Sequence, residues 1–201
     1  MAILMLKRKR LAFPALAVPQ AIGDGEPAYG GRLIIQPSDP DVELIDKAII
    51  EVAREKWKDK ADDILQVLRE DKKLCFLKAP YRSSKTGKVY DGFEDTYSLG
   101  MRNGKTRPTA IDKYGKEITD KSEIERILYA GCYANVKVEI WAQDNSFGRR
   151  VNCSVLGVMF ADDGQSFGGG SAPASADEFA AMAAKPEDDL NAATAEGGDY
   201  V

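Results

Sequence analysis

The chain has 201 residues, a formal net charge of −4, three cysteines and no histidine. This length supports one sizeable core with appendages, and the missing histidine excludes His-based triads, His-ligated metals and imidazole acid–base pairs. Cys75, Cys132 and Cys153 stand far apart without C-x-x-C spacing, which argues against a structural zinc or a disulfide framework and for reduced core thiols in a cytoplasmic protein.

The chain opens with "MAILMLKRKR". Lys7 to Arg10 followed by "LAFPALAV" imitate a secretory leader, but an apolar segment precedes the charges and Pro14 and Pro19 interrupt the run. No segment reaches the roughly 18 uninterrupted apolar residues of a membrane span. The basic run also has the letters of a nuclear address, and a solvated or DNA-facing arm is the favoured reading. "RLAFPALAVPQ" predicts an edge strand or extended arm, because its prolines cannot donate to a ladder on both sides. "AIGDGEPAYGG" predicts a loop and "RLIIQP" a short strand.

A helix is predicted from Asp39, with Pro40 in its first position and Val42, Ile45, Ile49, Val52 and Trp57 at helical spacing, ending near Lys58. "ADDILQVLRED" predicts a second, with Ile64, Leu65 and Leu68 on one face. Together they make a helical insertion over about 39–70.

From Leu74 the period changes to two. "KLCFLKAP", "GKVYDGF", "DTYSLGM", "TRPTAID", "GCYANVKVEIWA" and "RRVNCSVLGVMFA" read as strands, with a short helix from Lys121 to Tyr129. Cys132, Ala134, Val136, Val138 and Ile140 should face inward, and Tyr133, Asn135, Lys137, Glu139 and Trp141 outward. In the last strand Val151, Cys153, Val155 and Met159 should face inward, across a hairpin loop at "QDNSFG". Five or more strands without βαβ alternation argue for a mostly β protein. The architecture expected is a five-stranded antiparallel Greek-key barrel of the OB type carrying the helical insertion.

After Ala161 large apolar residues are scarce. Residues 162–201 are therefore expected to be a disordered acidic tail on a domain spanning 1–161. Residues 161–201 hold nine acidic residues and one basic residue, Lys185, so this end carries −8 and the preceding body +4. A basic body with an acidic tail points to polyanion binding and to a tail that competes with the ligand or binds partners.

Gly100, Gly104, Lys105 and Thr106 spell G-x-x-x-G-K-T, one residue short of a phosphate-cradling loop. The spacer is too short to wrap phosphates, and Pro108 disfavours the helix that must follow. Asn103-Gly104 reads instead as a type I′ hairpin tip, armed by Arg102, Lys105 and Arg107. From Lys72 to Arg107 nine basic residues face three acidic ones, among Phe76, Tyr81, Tyr90, Phe93 and Tyr97. Basic side chains track phosphates while aromatic faces stack bases, so this clustering predicts a single-strand binder.

The candidate DNA-binding residues are Lys78, Tyr81, Arg82, Lys85, Lys88, Tyr97, Arg102, Lys105, Arg107, Tyr133, Lys137 and Trp141. Asp91, Glu94 and Asp95 could be proposed as nuclease metal ligands, but Glu94 and Asp95 would point to opposite faces of a strand. No catalytic residue, metal or cofactor is expected. The alternatives are an NTP-dependent or nuclease-type DNA-processing enzyme and a protein-interaction module.

"FLKAPYRSSKTGKVYDGF", "KTRPTAID", "GCYANVKVEIWAQDN" and the exit "VNCSVLGVMFADDGQSFGGG" into an acidic end resemble the single-stranded DNA-binding proteins of tailed bacteriophages, over about Arg32 to Gly170. The resemblance implies an OB-fold protein that coats and protects single strands, without sequence specificity, in phage replication, recombination and repair in the bacterial host cytoplasm. It further implies a tail that contacts replication or recombination proteins and competes with DNA, for which Asp188, Asp189, Asp199 and Tyr200 are the candidate residues. Such tails often end in a dense acidic run and a terminal aromatic; this one is diluted with Ala and Gly and ends Tyr200-Val201. No membrane partner is expected, and a homodimer is compatible with the chain.

Overall fold

In the computed structural model, residues 1–21 and 25–167 are described. The tail candidates Asp188, Asp189, Asp199 and Tyr200 lie outside them.

The first strand, β1 (Ala2–Gln20), is 19 residues long and changes partner along its length. Its first half pairs antiparallel with β7 (Tyr133–Asn145), and from Arg10 onward it pairs with β2 (Ala28–Ile35). An edge strand was expected from the prolines, but β1 lies inside the sheet. Pro14 and Pro19 are tolerated because they fall in the half with a single strand partner, where the register with β2 shifts between Ala12 and Ala15 and again before Gln20. β2 also begins inside the expected glycine-rich loop.

The insertion follows β2 as predicted: α1 (Asp41–Trp57), one 3₁₀ turn (Lys58–Lys60) and α2 (Ala61–Glu70). An Asp39 Oδ1 accepts the Asp41 N–H at 2.9 Å, satisfying one of the orphan donors at the start of α1. Lys9 of β1, almost wholly buried, reaches the same end with its Nζ 2.6 Å from Asp39 and 2.8 Å from Asp41. At the other end Trp57 Nε1 donates to Asp144 at 2.9 Å, tying α1 to β7.

β3 (Phe76–Leu77) and β4 (Tyr97–Asn103) continue the sheet, with β4 in register along β2 from Tyr97↔Ile35 to Asn103↔Tyr29. Then come β5 (Thr109–Ile111), β6 (Glu117–Ile118), α3 (Lys121–Ile127), β7 and β8 (Gly148–Asp162). The order is β3-β4-β2-β1-β7-β8-β5-β6. Strands β1, β2 and β4 form a meander, and β7 returns by a long connection to lie beside β1, which is a Greek key. A parallel bridge between Leu74 and Val151 brings the two sides of the sheet together, and β8 packs on β4. The five long strands thus make the expected barrel, to which β3, β5 and β6 add short pieces; β5 runs parallel to β8, so the sheet is not purely antiparallel.

The alternation expected for β7 holds, with Ala134, Val136, Val138 and Ile140 sealed in the core beside Cys132. β8 departs from it. The register slips so that Lys137 faces Gly157 while Val138 faces Val155, leaving Leu156 as an extra residue. This bulge reverses the parity, so Val158 is buried rather than the expected Met159. The hairpin loop at Ser146 and Phe147 closes as predicted, with Gly148 at φ +93°.

Two local expectations change. β4 does not fold back onto β5, and neither Asn103 nor Gly104 has the positive φ that a type I′ turn requires. Instead Asn103 Oδ1 accepts the N–H groups of Lys105 and Thr106, and its amide donates to the Val155 carbonyl, steering the chain toward β8. Residues 81–90 form an arm rather than a strand: Arg82 and Val89 bridge, and Gly87 at φ +70° turns the tip. Asp91, Glu94 and Asp95 lie in the turns that follow the arm, not on a strand.

The chain does not leave the barrel at the expected boundary of 161. β8 includes Asp162, the Tyr129 hydroxyl contacts Asp163 and the Gly164 carbonyl, and Phe167 packs beside Phe93. No helix is long and apolar enough to cross a membrane among the described residues.

Candidate nucleic-acid interface

A groove of about 640 Å³ crosses the barrel from the base of the 81–90 arm to the loop end of the β7–β8 hairpin. Its aromatic wall is Phe13, Tyr81 and Tyr90. Tyr81 and Tyr90 stack at 5.4 Å and 22°, and the Phe13 ring meets Tyr90 edge-on at 5.0 Å and lies parallel to buried Phe93 at 5.9 Å. Trp141 stands at the far end, half-buried, with its Nε1 donating to Ser154. Arg32, Lys72, Lys73, Arg102 and Arg150 also line the groove, and no acidic residue does among those described. Lys73 is paired with Asp71 at 2.8 Å, and the other four cations leave an excess of positive charge beside the aromatic faces; stacking faces and positive charge are the two requirements for holding a single strand.

Tyr81 and Tyr90 meet because the bridge between Arg82 and Val89 and the Tyr90 N–H to the Tyr81 carbonyl bond at 3.1 Å close the arm at its base. Arg82, Lys85 and Lys88 are carried outward on the arm, exposed; Arg82 Nη1 donates to the Gly87 carbonyl, stiffening the tip. Phe13 reaches the wall through the β1 irregularity: its φ is +50°, a conformation that bulky residues adopt only under constraint, and its side chain stays 48% exposed.

Of the twelve residues predicted from sequence, Tyr81, Arg102 and Trp141 line this groove. Arg82, Lys85 and Lys88 belong to the arm that forms its wall. Lys78 pairs instead with Asp46 of α1. Tyr97, half-buried, packs edge-on against Phe76 at 6.0 Å on the core side and does not line the groove; its register opposite Ile35 directs it there. Lys105 is exposed in the turn after β4, and Arg107 Nη1 lies 3.4 Å from the Thr119 carbonyl. Tyr133 is covered by the Arg8 guanidinium at 4.7 Å, itself paired with Asp162, and Lys137 is exposed on β7; neither lines the groove.

The residues that sequence reasoning missed are Phe13, Arg32, Tyr90 as a site residue, Lys72, Lys73 and Arg150. The Phe-Pro pair inside an otherwise regular strand was the available signal for Phe13. Nothing local marks Arg32. Cys75 also lines the groove, but burial pushes its thiol up to about 12, so it is a poor nucleophile. Among the described residues no group of acidic or cysteine side chains is placed to hold a metal ion.

A model of the family described as "Enterobacter phage Enc34, ssDNA-binding protein" matches residues 2–190. The chain belongs to this family. A protein designated p50 of Acyrthosiphon pisum secondary endosymbiont phage 1 is 33% identical over 189 residues, covering 92% of this chain and 96% of the relative. The single-stranded DNA-binding protein of bacteriophage Enc34, solved in complex with ssDNA, is 20% identical with a TM-score of 0.67, covering 83% of this chain and 89% of that one. Gp2.5, a single-stranded DNA-binding protein encoded by bacteriophage T7, is 16% identical with a TM-score of 0.52, covering 100% of this chain and 98% of that one. At these identities the two structures establish the shared fold.

Proposed function

We propose that this protein binds single-stranded DNA in the groove between the 81–90 arm and the β7–β8 hairpin, without requiring a defined sequence. The observation that carries the reading is the combination, in one groove, of the Phe13, Tyr81 and Tyr90 wall with five cations and no acid. Membership in the Enc34 family supports it. Bases stack on the exposed rings of Phe13 and Tyr90, which Tyr81 backs, while Lys85, Lys88 and Arg102 neutralise phosphates, each stacked base contributing roughly 1–3 kcal/mol. The protein coats and protects single strands in phage replication, recombination and repair, in the host cytoplasm and without turnover of its own. Its acidic tail, with Asp188, Asp189, Asp199 and Tyr200, contacts partner proteins and competes with DNA.

Tryptophan fluorescence tests the assignment of the groove. Titration with oligo-dT should quench Trp141, whereas Trp57 is buried against Asp144 and should respond little. The Trp141→Phe variant should therefore lose most of the signal. A full response from Trp141→Phe, or an equal response to duplex DNA, would place the strand elsewhere.

A further inference from the structure

Arg32 occupies an unusual position. It lies on β2 directly opposite Gly100 of β4, on the floor of the groove. Its guanidinium carbon is 3.9 Å from the Tyr81 ring centroid, and its Nη1 donates to the buried Ser98 hydroxyl at 2.9 Å. Among the described residues no carboxylate pairs with it, and burial lowers its pKa from the ordinary arginine value. Gly100 leaves room for this placement, since a Cβ there would stand 2.8 Å from Arg32 Nη2 and the guanidinium would have to shift. A glycine that reads in the sequence as part of a phosphate loop is therefore the space in which a guanidinium lies.

A guanidinium has five donors and no acceptor, and Ser98 engages one of its nitrogens. The others lie over the Tyr81 ring at the half-buried groove floor, with no carboxylate among the described residues to engage them. In the proposed binding mode the phosphates follow the exposed arm cations and Arg102, and a base stacked on Phe13 or Tyr90 turns its edge toward the floor. We infer that Arg32 reads base edges on the groove floor, giving this single-strand binder a preference for guanine over adenine. Guanine offers O6 and N7, two acceptors matched to the arginine fork, whereas adenine presents its N6 amino group where O6 would be. The inference rests on the single-strand-binding reading and deepens it: binding stays independent of any defined site, but not of base composition.

The test uses the full chain and two labelled oligonucleotides, repeats of d(TTG) and d(TTA), measured by anisotropy across a salt series. The wild type should favour d(TTG) by about fivefold or more, the lower end of an arginine–guanine contact. Arg32→Met should bring the two affinities together while leaving the salt slope unchanged. Arg32→Lys, which keeps the charge but not the fork, should also lose most of the preference. Gly100→Ala, which displaces the guanidinium without removing it, provides an independent variant, and thermal melting of each variant identifies any that fails to fold.

Equal wild-type affinities for the two repeats would overturn the proposal. So would an Arg32→Met protein that keeps the ratio but loses about one unit of log–log salt slope, because that is the signature of a phosphate contact. No wild-type binding to either oligonucleotide would instead refute the single-strand-binding reading itself.

Discussion

Replacing Phe13 separates the binding role of its ring from the cost of its backbone. Phe13 holds φ +50° and is 48% exposed, in contact with Tyr81, Tyr90 and Phe93 at ring-centroid distances of 6.1, 5.0 and 5.9 Å. The left-handed conformation costs an L-residue about 1–2 kcal/mol, and the ring contacts return about 0.5–1.5 kcal/mol per pair. Phe13→Ala removes the ring and keeps the strained backbone, so stability and affinity both fall. Phe13→Gly removes the same ring and relieves the strain, offset in part by the greater freedom of glycine in the unfolded chain. The glycine variant should therefore melt above the alanine variant, by about 0.5–1 kcal/mol in urea titration. Both should bind oligo-dT more weakly than wild type by the same factor, roughly 5- to 150-fold if one base stacks on this ring. Phe13→Trp should retain affinity. Unchanged oligo-dT affinity in Phe13→Ala would refute the stacking role, and a glycine variant less stable than the alanine one would refute the strain argument.

Lys9→Met should cost about 2–3 kcal/mol, somewhat below a fully sealed ion pair because Asp39 and Asp41 keep part of their hydration. The Lys9 pKa lies above 10.5: burial alone would lower it, but hydrogen bonds to Asp39 and then Asp41 raise it further. Its stabilisation is thus fully present below the unfolded value near 10.5 and is lost as pH rises through the higher folded value. Wild type and Lys9→Met should therefore converge in urea stability in strong alkali, and a constant gap would refute this linkage. Truncation after Phe167 removes seven acidic residues and Lys185 while keeping the segment packed on the barrel. It should tighten oligo-dT binding at low salt, with the advantage shrinking as salt rises; equal affinities would refute competition by the tail.

Much of the barrel was legible because its signals are local. The period-two pattern over 132–141 depends only on which side chains tolerate burial, and it placed Val136, Val138 and Ile140 correctly. The apolar spacing and the Asp39-Pro40 start located α1 within two residues. The interleaving of Tyr81, Arg82, Lys85, Lys88 and Tyr90 marked the arm, although not its shape. The β8 bulge was invisible, because a slip of one residue is decided by the partner strand and not by the residues that slip.

The groove is where tertiary structure decided the outcome. By itself, the sequence determined that a basic, aromatic-rich β body precedes an acidic tail, since charge and burial preference are properties of each residue. Which aromatics share a surface is a property of register. Tyr97 pairs with Ile35 and packs against the core, while a strained backbone at position 13 turns Phe13 out beside Tyr90. Arg32 and Gly100 are 68 positions apart and acquire their meaning only when β2 and β4 pair. The fold then leaves a cation without an acidic partner among the described residues, on the floor of the groove proposed to hold the strand.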